Sequence, residues 1–271
     1  MVVASIYVNP TQFAAHEDFG VYPRSMEGDL QMLAAAGCVA VFAPKTLYHS
    51  PAAGADTAMV VGASGEYDPD AHETWVQLEH LSQGLCANSR PHFFRGVCTP
   101  PAPALGVQVV SKLLHIVEPD MAFFGKKDYQ QWRIIERMVR DLNFAVEVVG
   151  MPIIREADGL AMSSRNALLT PANRHLAPCI YRGLTAAKQA AESGAVTSAE
   201  QLQKQVAAAI SEHTGKVDYV EVVDAKTLRP VQGLHSGRLV LIAVAAHFGS
   251  VRLIDNIEIT PGSASSERGQ P

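Results

Sequence analysis

Two hydrophobic rhythms divide this chain, and they change over near residue 152. Before that point, short apolar runs alternate with stretches whose apolar residues recur at helical spacing. Residues 2–8, VVASIYV, read as a buried strand that Asn9-Pro10 stops. From Ser25 to Ala36, Met26, Leu30, Leu33 and Ala34 mark one helix face, and Gly37 stands where a helix C-terminus places glycine. VAVFAP at 39–44 and TAMVV at 57–61 predict strands, while 73–86 and 105–117 carry helical periodicity. MAFFG at 121–125 predicts a strand, 128–142 a helix and VEVVG at 146–150 another strand. Apolar strands alternating with amphipathic helices predict an α/β fold built on a parallel, doubly wound sheet.

Beyond residue 152, two Ala-rich helices, near 171–193 and 198–213, precede three strands at 217–224, 238–246 and 251–257. Helices followed by strands predict a smaller, separate α+β unit. The expected organisation is a first domain over 1–152, a second over 153–261 and a disordered polar tail, GSASSERGQP, at 262–271. TPPAPALG at 99–106 interrupts what otherwise reads as one helix over 97–117. An interior proline costs about 3 kcal/mol, so that helix must begin near Ala104 or later. The segment reads equally as a surface loop or a local insertion.

Composition narrows the class. The chain has 271 residues, 48% of them hydrophobic, enough to bury a core. A net charge of −5 argues against a nucleic-acid or membrane-surface partner. No apolar stretch reaches the roughly 18–20 residues of a membrane span. MVVASIYV lacks the features of a signal or transit peptide. Cys38, Cys86, Cys98 and Cys179 form no CxxC pair and predict reduced thiols. A soluble, cytoplasmic protein is expected.

Three polar segments interrupt the apolar runs. In FGKKDYQQW, 124–132, a strand ends at Gly125 and a helix starts near Asp128. The C-terminal end of a parallel strand followed by a helix N-terminus suits phosphate. Gly125 allows close backbone approach, and Lys126 and Lys127 supply point charges. Asp128 can cap the helix or touch ribose or metal, and Gln130 and Gln131 offer amides to a hydroxy-acid. In READGLAMSSRN, 155–166, Asp158-Gly159 marks a turn, after which Ser163, Ser164 and Arg165 gather two hydroxyls and a guanidinium that suit a triphosphate. In NPTQF, 9–13, Asn9 and Gln12 stand at the end of the first strand. Each segment alone is equally a solvated basic helix start, a cap-and-turn sequence or a proline-anchored strand end.

Together, in order and approximate spacing, they resemble the pantothenate synthetases, also called pantoate–β-alanine ligases. SIYVNPTQF, YPRSMEGDL, FFRGVCT, KLLHIVEPD, FGKKDYQQW, READGLAMSSRN, VDYVEVVD and VRLIDNIEI carry the resemblance, and the wording is similar to plant and algal members. It implies a Rossmann-like first domain, a C-terminal α+β lid domain, a homodimer, and ATP-dependent condensation of (R)-pantoate with β-alanine through a pantoyl-adenylate. It further implies that Gly125, Lys126, Lys127, Asp128, Ile154, Met162, Ser163, Ser164 and Arg165 line the ATP site, Ile154 flanking adenine. Lys127 and Arg165 would be catalytic through the phosphates. Gln12 and Gln131 would hold pantoate, Gln12 also lying near β-alanine. Mg²⁺ would arrive with ATP and need few protein ligands.

The chain departs from the family's pattern in two places. No HxGH motif occurs in it, and residue 1 falls where the family's second strand is expected, so an N-terminally truncated sheet is expected, short by about one βα unit of roughly 30 residues. PPAPALGVQ separates Thr99 from Val110, where relatives run straight into the KLLxIVxP helix. The alternative expectation is a catalytically impaired relative that only binds ligand or dimerises. Another adenylate-forming transferase of the same superfamily is disfavoured, because NPTQF and the KKDYQQW glutamines match the pantoate site.

Overall fold

A computed structural model describes residues 1–9, 24–45, 47, 76, 78, 80–85 and 106–262 of the chain. Strand β1 (Val3–Ser5), helix α1 (Met26–Ala35) and strand β2 (Ala40–Phe42) follow the predicted order. β1 and β2 pair in parallel, Val3 opposite Ala40 and Ser5 opposite Phe42. Gly37 adopts φ +82°, the left-handed geometry that glycine meets without steric cost after a helix. Helix α2 spans Gly106–Val117. Strand β3 (Met121–Gly125), a 3-10 turn at Lys126–Asp128, helix α3 (Tyr129–Asp141) and strand β4 (Glu147–Met151) continue the alternation, and β3 pairs with β4.

The later region holds helices α4 (Pro171–Leu176), α5 (Cys179–Glu192) and α6 (Ala199–Ser211), then strands β5 (Lys216–Asp224), β6 (Val240–Phe248) and β7 (Val251–Ile259). The three strands form one antiparallel sheet in the order β5-β6-β7. Ile180, Leu184, Ala187 and Ala191 of α5, and Leu202, Val206 and Ile210 of α6, repeat every three or four residues and are buried together with the apolar residues of β6. A Cβ on Gly183 would lie 3.1 Å from that of Ala209, so the glycine permits the close approach of α5 and α6.

The chain divides into two compact units, one of Met1–Gln83, Arg90–Ala122 and Ile134–Val148, the other of Gly84–Ser89, Phe123–Arg133 and Val149–Pro271. No helix among the described residues is long and apolar enough to cross a membrane.

Two expectations need correction. The helix read over 73–86 is not formed at its described positions: Val76 and Leu78 are irregular and 80–85 are turns and bends. Gly84 and Leu85 both have positive φ, +70° and +51°, which ends any helical path there. The single helix near 171–193 is two, because Pro178 has no N–H to continue α4 and instead begins α5. The strand at 57–61, the proline segment at 99–105, Cys86 and Cys98 lie outside the described residues. Cys38 and Cys179 are free thiols, and burial pushes the Cys179 thiol up to about 11, which keeps it protonated.

Candidate functional site

Residues 124–132 and 155–166 both reach strand β7. The 3-10 turn Lys126–Asp128 lies at the end of β3, where Gly125 has extended backbone. A Cβ on Gly125 would meet nothing within 4 Å, so no internal packing demands glycine there, and the surface beside the turn is open. Asn256 of β7 is buried, and its side-chain amide donates to the carbonyls of Lys126 and Lys127, each at 2.9 Å.

The two lysines part company at their side chains. Lys126 Nζ pairs with the Glu258 carboxylate at 3.0 Å to both oxygens, and Tyr129 Oη donates to the same carboxylate at 2.7 Å. Lys126 also lies 4.9 Å from the centre of the Trp132 ring. Lys127 Nζ lies 4.0 Å from the half-exposed carboxylate of Asp128, a loose pair that an incoming phosphate can replace. The sequence assigned both lysines to the nucleotide; in the structure the Lys126 side chain is occupied by Glu258. Gln130 is buried and donates to the Gly84 carbonyl at 3.3 Å. Gln131 is partly exposed, and Gln12 lies outside the described residues.

The second segment is a tight hairpin. Met162 N–H donates to the Ile154 carbonyl and Glu156 N–H to the Leu160 carbonyl. Asp158 accepts from Leu160 N–H at 3.1 Å, and Gly159 has φ +92°, which makes the predicted Asp-Gly turn. Ile154 and Met162, facing each other across the hairpin, are 67% and 54% exposed. Two exposed apolar side chains held by backbone pairing suit the face of a flat heterocycle. Ser163 Oγ accepts from Arg165 N–H at 3.3 Å, capping the 3-10 turn Ser164–Leu168. The capping alternative for this segment is therefore realised at Ser163, while Ser164 and Arg165 sit on the turn itself. Asn166 braces the hairpin by donating to Glu156 at 2.7 Å and to the Ala161 carbonyl at 3.1 Å.

Arg155, at the base of the hairpin, donates to Asp255 of β7 from both terminal guanidinium nitrogens, Nη1 at 2.7 Å and Nη2 at 3.0 Å. Its guanidinium also stacks 3.8 Å from the centre of the Tyr181 ring. Burial holds the Asp255 carboxyl above its ordinary range, outweighing the opposing pull of Arg155 and of the Asn256 backbone N–H. Asp255, Asn256 and Glu258 are not among the site residues that the sequence motifs single out. The available signal was a polar Asp-Asn pair inside the apolar run VRLIDNIEI, since such residues are buried only with partners. Among the described residues no cluster of three or more His, Cys, Asp or Glu is arranged to hold a metal ion.

A family model described as pantoate-beta-alanine ligase matches residues 1–258. A pantoate--beta-alanine ligase of Oryza sativa subsp. japonica is 50% identical over 261 residues, covering 95% of this chain and 80% of the relative. One of Arabidopsis thaliana is 49% identical, covering 96% and 82%. The crystal structure of pantothenate synthetase from Thermus thermophilus superposes with a TM-score of 0.77 at 37% identity, covering 96% of this chain and 84% of that one. The ligase of Francisella tularensis, complexed with beta-gamma ATP and β-alanine, gives a TM-score of 0.66 at 27% identity, covering 94% and 78%.

Proposed function

The chain belongs to the pantoate–β-alanine ligase family, and we propose that it condenses pantoate with β-alanine while ATP is cleaved to AMP and diphosphate. A carboxylate is a poor electrophile, so activation must come first. A pantoate carboxylate oxygen attacks the α-phosphorus of ATP; the new O–P bond forms as the bond to diphosphate breaks. The β-alanine amine then attacks the acyl carbon, the C–N bond forms, and AMP leaves with one former carboxylate oxygen as the amine loses its proton. Neither step needs a protein nucleophile; catalysis is positioning and stabilisation of phosphate charge.

The observation that carries this reading is the placing of the Lys126–Asp128 turn and the Ile154–Met162 hairpin on adjacent residues of β7. Lys127 faces the phosphates, Met162 and Ile154 flank adenine, and Ser163, Ser164 and Arg165 close on the nucleotide. Gln131 and Gln12 hold pantoate. Mg²⁺ belongs to the same reading: the half-exposed Asp128 beside Lys127 fits an ion that keeps waters and phosphate oxygens as most of its ligands. A cytoplasmic homodimer with domains over 1–152 and 153–261 completes it.

The adenylate step is tested with pantoate labelled by ¹⁸O in its carboxylate. One label in the AMP phosphoryl group supports it, and label confined to the amide product overturns it.

A further inference from the structure

Asn256 spends both hydrogens of its amide on two successive carbonyls, those of Lys126 and Lys127. In a trans peptide the C=O and the next N–H point in opposite directions. Holding the Lys126 carbonyl toward Asn256 therefore turns the Lys127 N–H away from it. That donor sits in the first turn of a helical start, where backbone N–H groups lack intrahelical acceptors. Next along β7, Asp255 accepts the Asn256 backbone N–H at 2.8 Å and holds Arg155, whose Nη1 also donates to the Gly159 carbonyl in the hairpin turn at 3.1 Å. The dyad thus ties two segments that lie about thirty residues apart in sequence to neighbouring positions of one strand.

We propose that Asn256 is a positioning residue of the ligase, setting the direction of the Lys127 backbone donor and side chain toward the nucleotide phosphates, with Asp255 holding the hairpin that covers them in matching register. The proposal rests on the nucleotide site described above. It makes a particular split in the kinetics, because the Asn256 side chain hydrogen-bonds the phosphate-binding turn and, among the described residues, not Gln131.

The test is steady-state AMP release by the full chain and by Asn256→Ala and Asn256→Ser, with a thermal melt of each. The expected result is a KM for ATP raised about tenfold in the alanine variant, less in the serine variant, with KM for pantoate and β-alanine unchanged and the melt cooperative. An unchanged KM for ATP in a folded variant overturns the positioning role and leaves the site assignment standing. Parallel increases in all three KM values, or loss of folding in both variants, make Asn256 a general structural residue and overturn it too. Absence of pantoate-dependent AMP release by the unvaried chain overturns the site assignment itself and this proposal with it.

Discussion

Arg155 and Asp255, a hundred residues apart, form a two-pronged ion pair in which the carboxylate is 4% and the guanidinium side chain 16% exposed. Removing one partner of such a pair leaves the other charge buried and unmatched, at about 3–5 kcal/mol. Asp255→Ala is therefore expected to lower stability by that amount in urea unfolding. The double variant with Arg155→Ala should lose much less than the sum of the two single losses. Additive losses would mean the pair is not coupled.

The two adjacent lysines should differ in kinetics. Lys127 has only a loose partner in Asp128, whereas Lys126 is committed to Glu258. Lys127→Ala should lower kcat/KM for ATP about 10²–10³-fold, the usual loss for a donor that meets developing charge. Lys126→Ala should lower it about tenfold or less, through a displaced turn. Equal losses would show that Lys126 leaves Glu258 when nucleotide binds.

Gly150 of β4 faces the indole of Trp132. A Cβ there would approach ring carbon Cε2 to 2.6 Å, closer than the ring can accept without shifting. Gly150→Ala should cost about 1–3 kcal/mol by overpacking and change the near-ultraviolet circular dichroism of Trp132. Trp132→Phe, which is smaller, should suppress most of the cost. An alanine variant as stable as the parent would contradict the packing described.

Asp224 gives a pH signature. Burial pushes its carboxyl up, but the Thr227 hydroxyl and backbone amide and Arg238 outweigh that and hold it at about 2, below its ordinary 3.8. A depressed folded value stabilises the fold above the unfolded value, and that contribution disappears as pH falls from about 4 to about 2. The parent should exceed Asp224→Asn by about 2 kcal/mol at neutral pH. The gap should close near pH 2. A gap that persists there would assign it to packing rather than to ionisation.

Periodicity revealed the elements whose burial is one-sided. Leu202, Val206 and Ile210 carry α6, and the Asp158-Gly159 turn was explicit in its residues. The pattern failed where a single backbone feature overrode it, at Pro178 between α4 and α5 and at the positive φ of Gly84 and Leu85. The GKKD and MSSR segments could be picked out as a candidate site because their residue types suit phosphate chemistry. Their division of labour was not. Nothing local separates Lys126 from Lys127; Glu258, 132 residues away, does so. Asn256 shows in sequence only as half of a polar pair inside an apolar run; which carbonyls it holds is decided once β7 meets the turn.

The most direct measurement is AMP and pantothenate formation by the purified chain with ATP, pantoate and β-alanine, each omitted in turn, beside Lys127→Ala. The expected result is equimolar AMP and pantothenate that require all three substrates and fall about 10²–10³-fold with Lys127→Ala. A soluble, folded chain that forms neither product, or forms them equally well without Lys127, would contradict it.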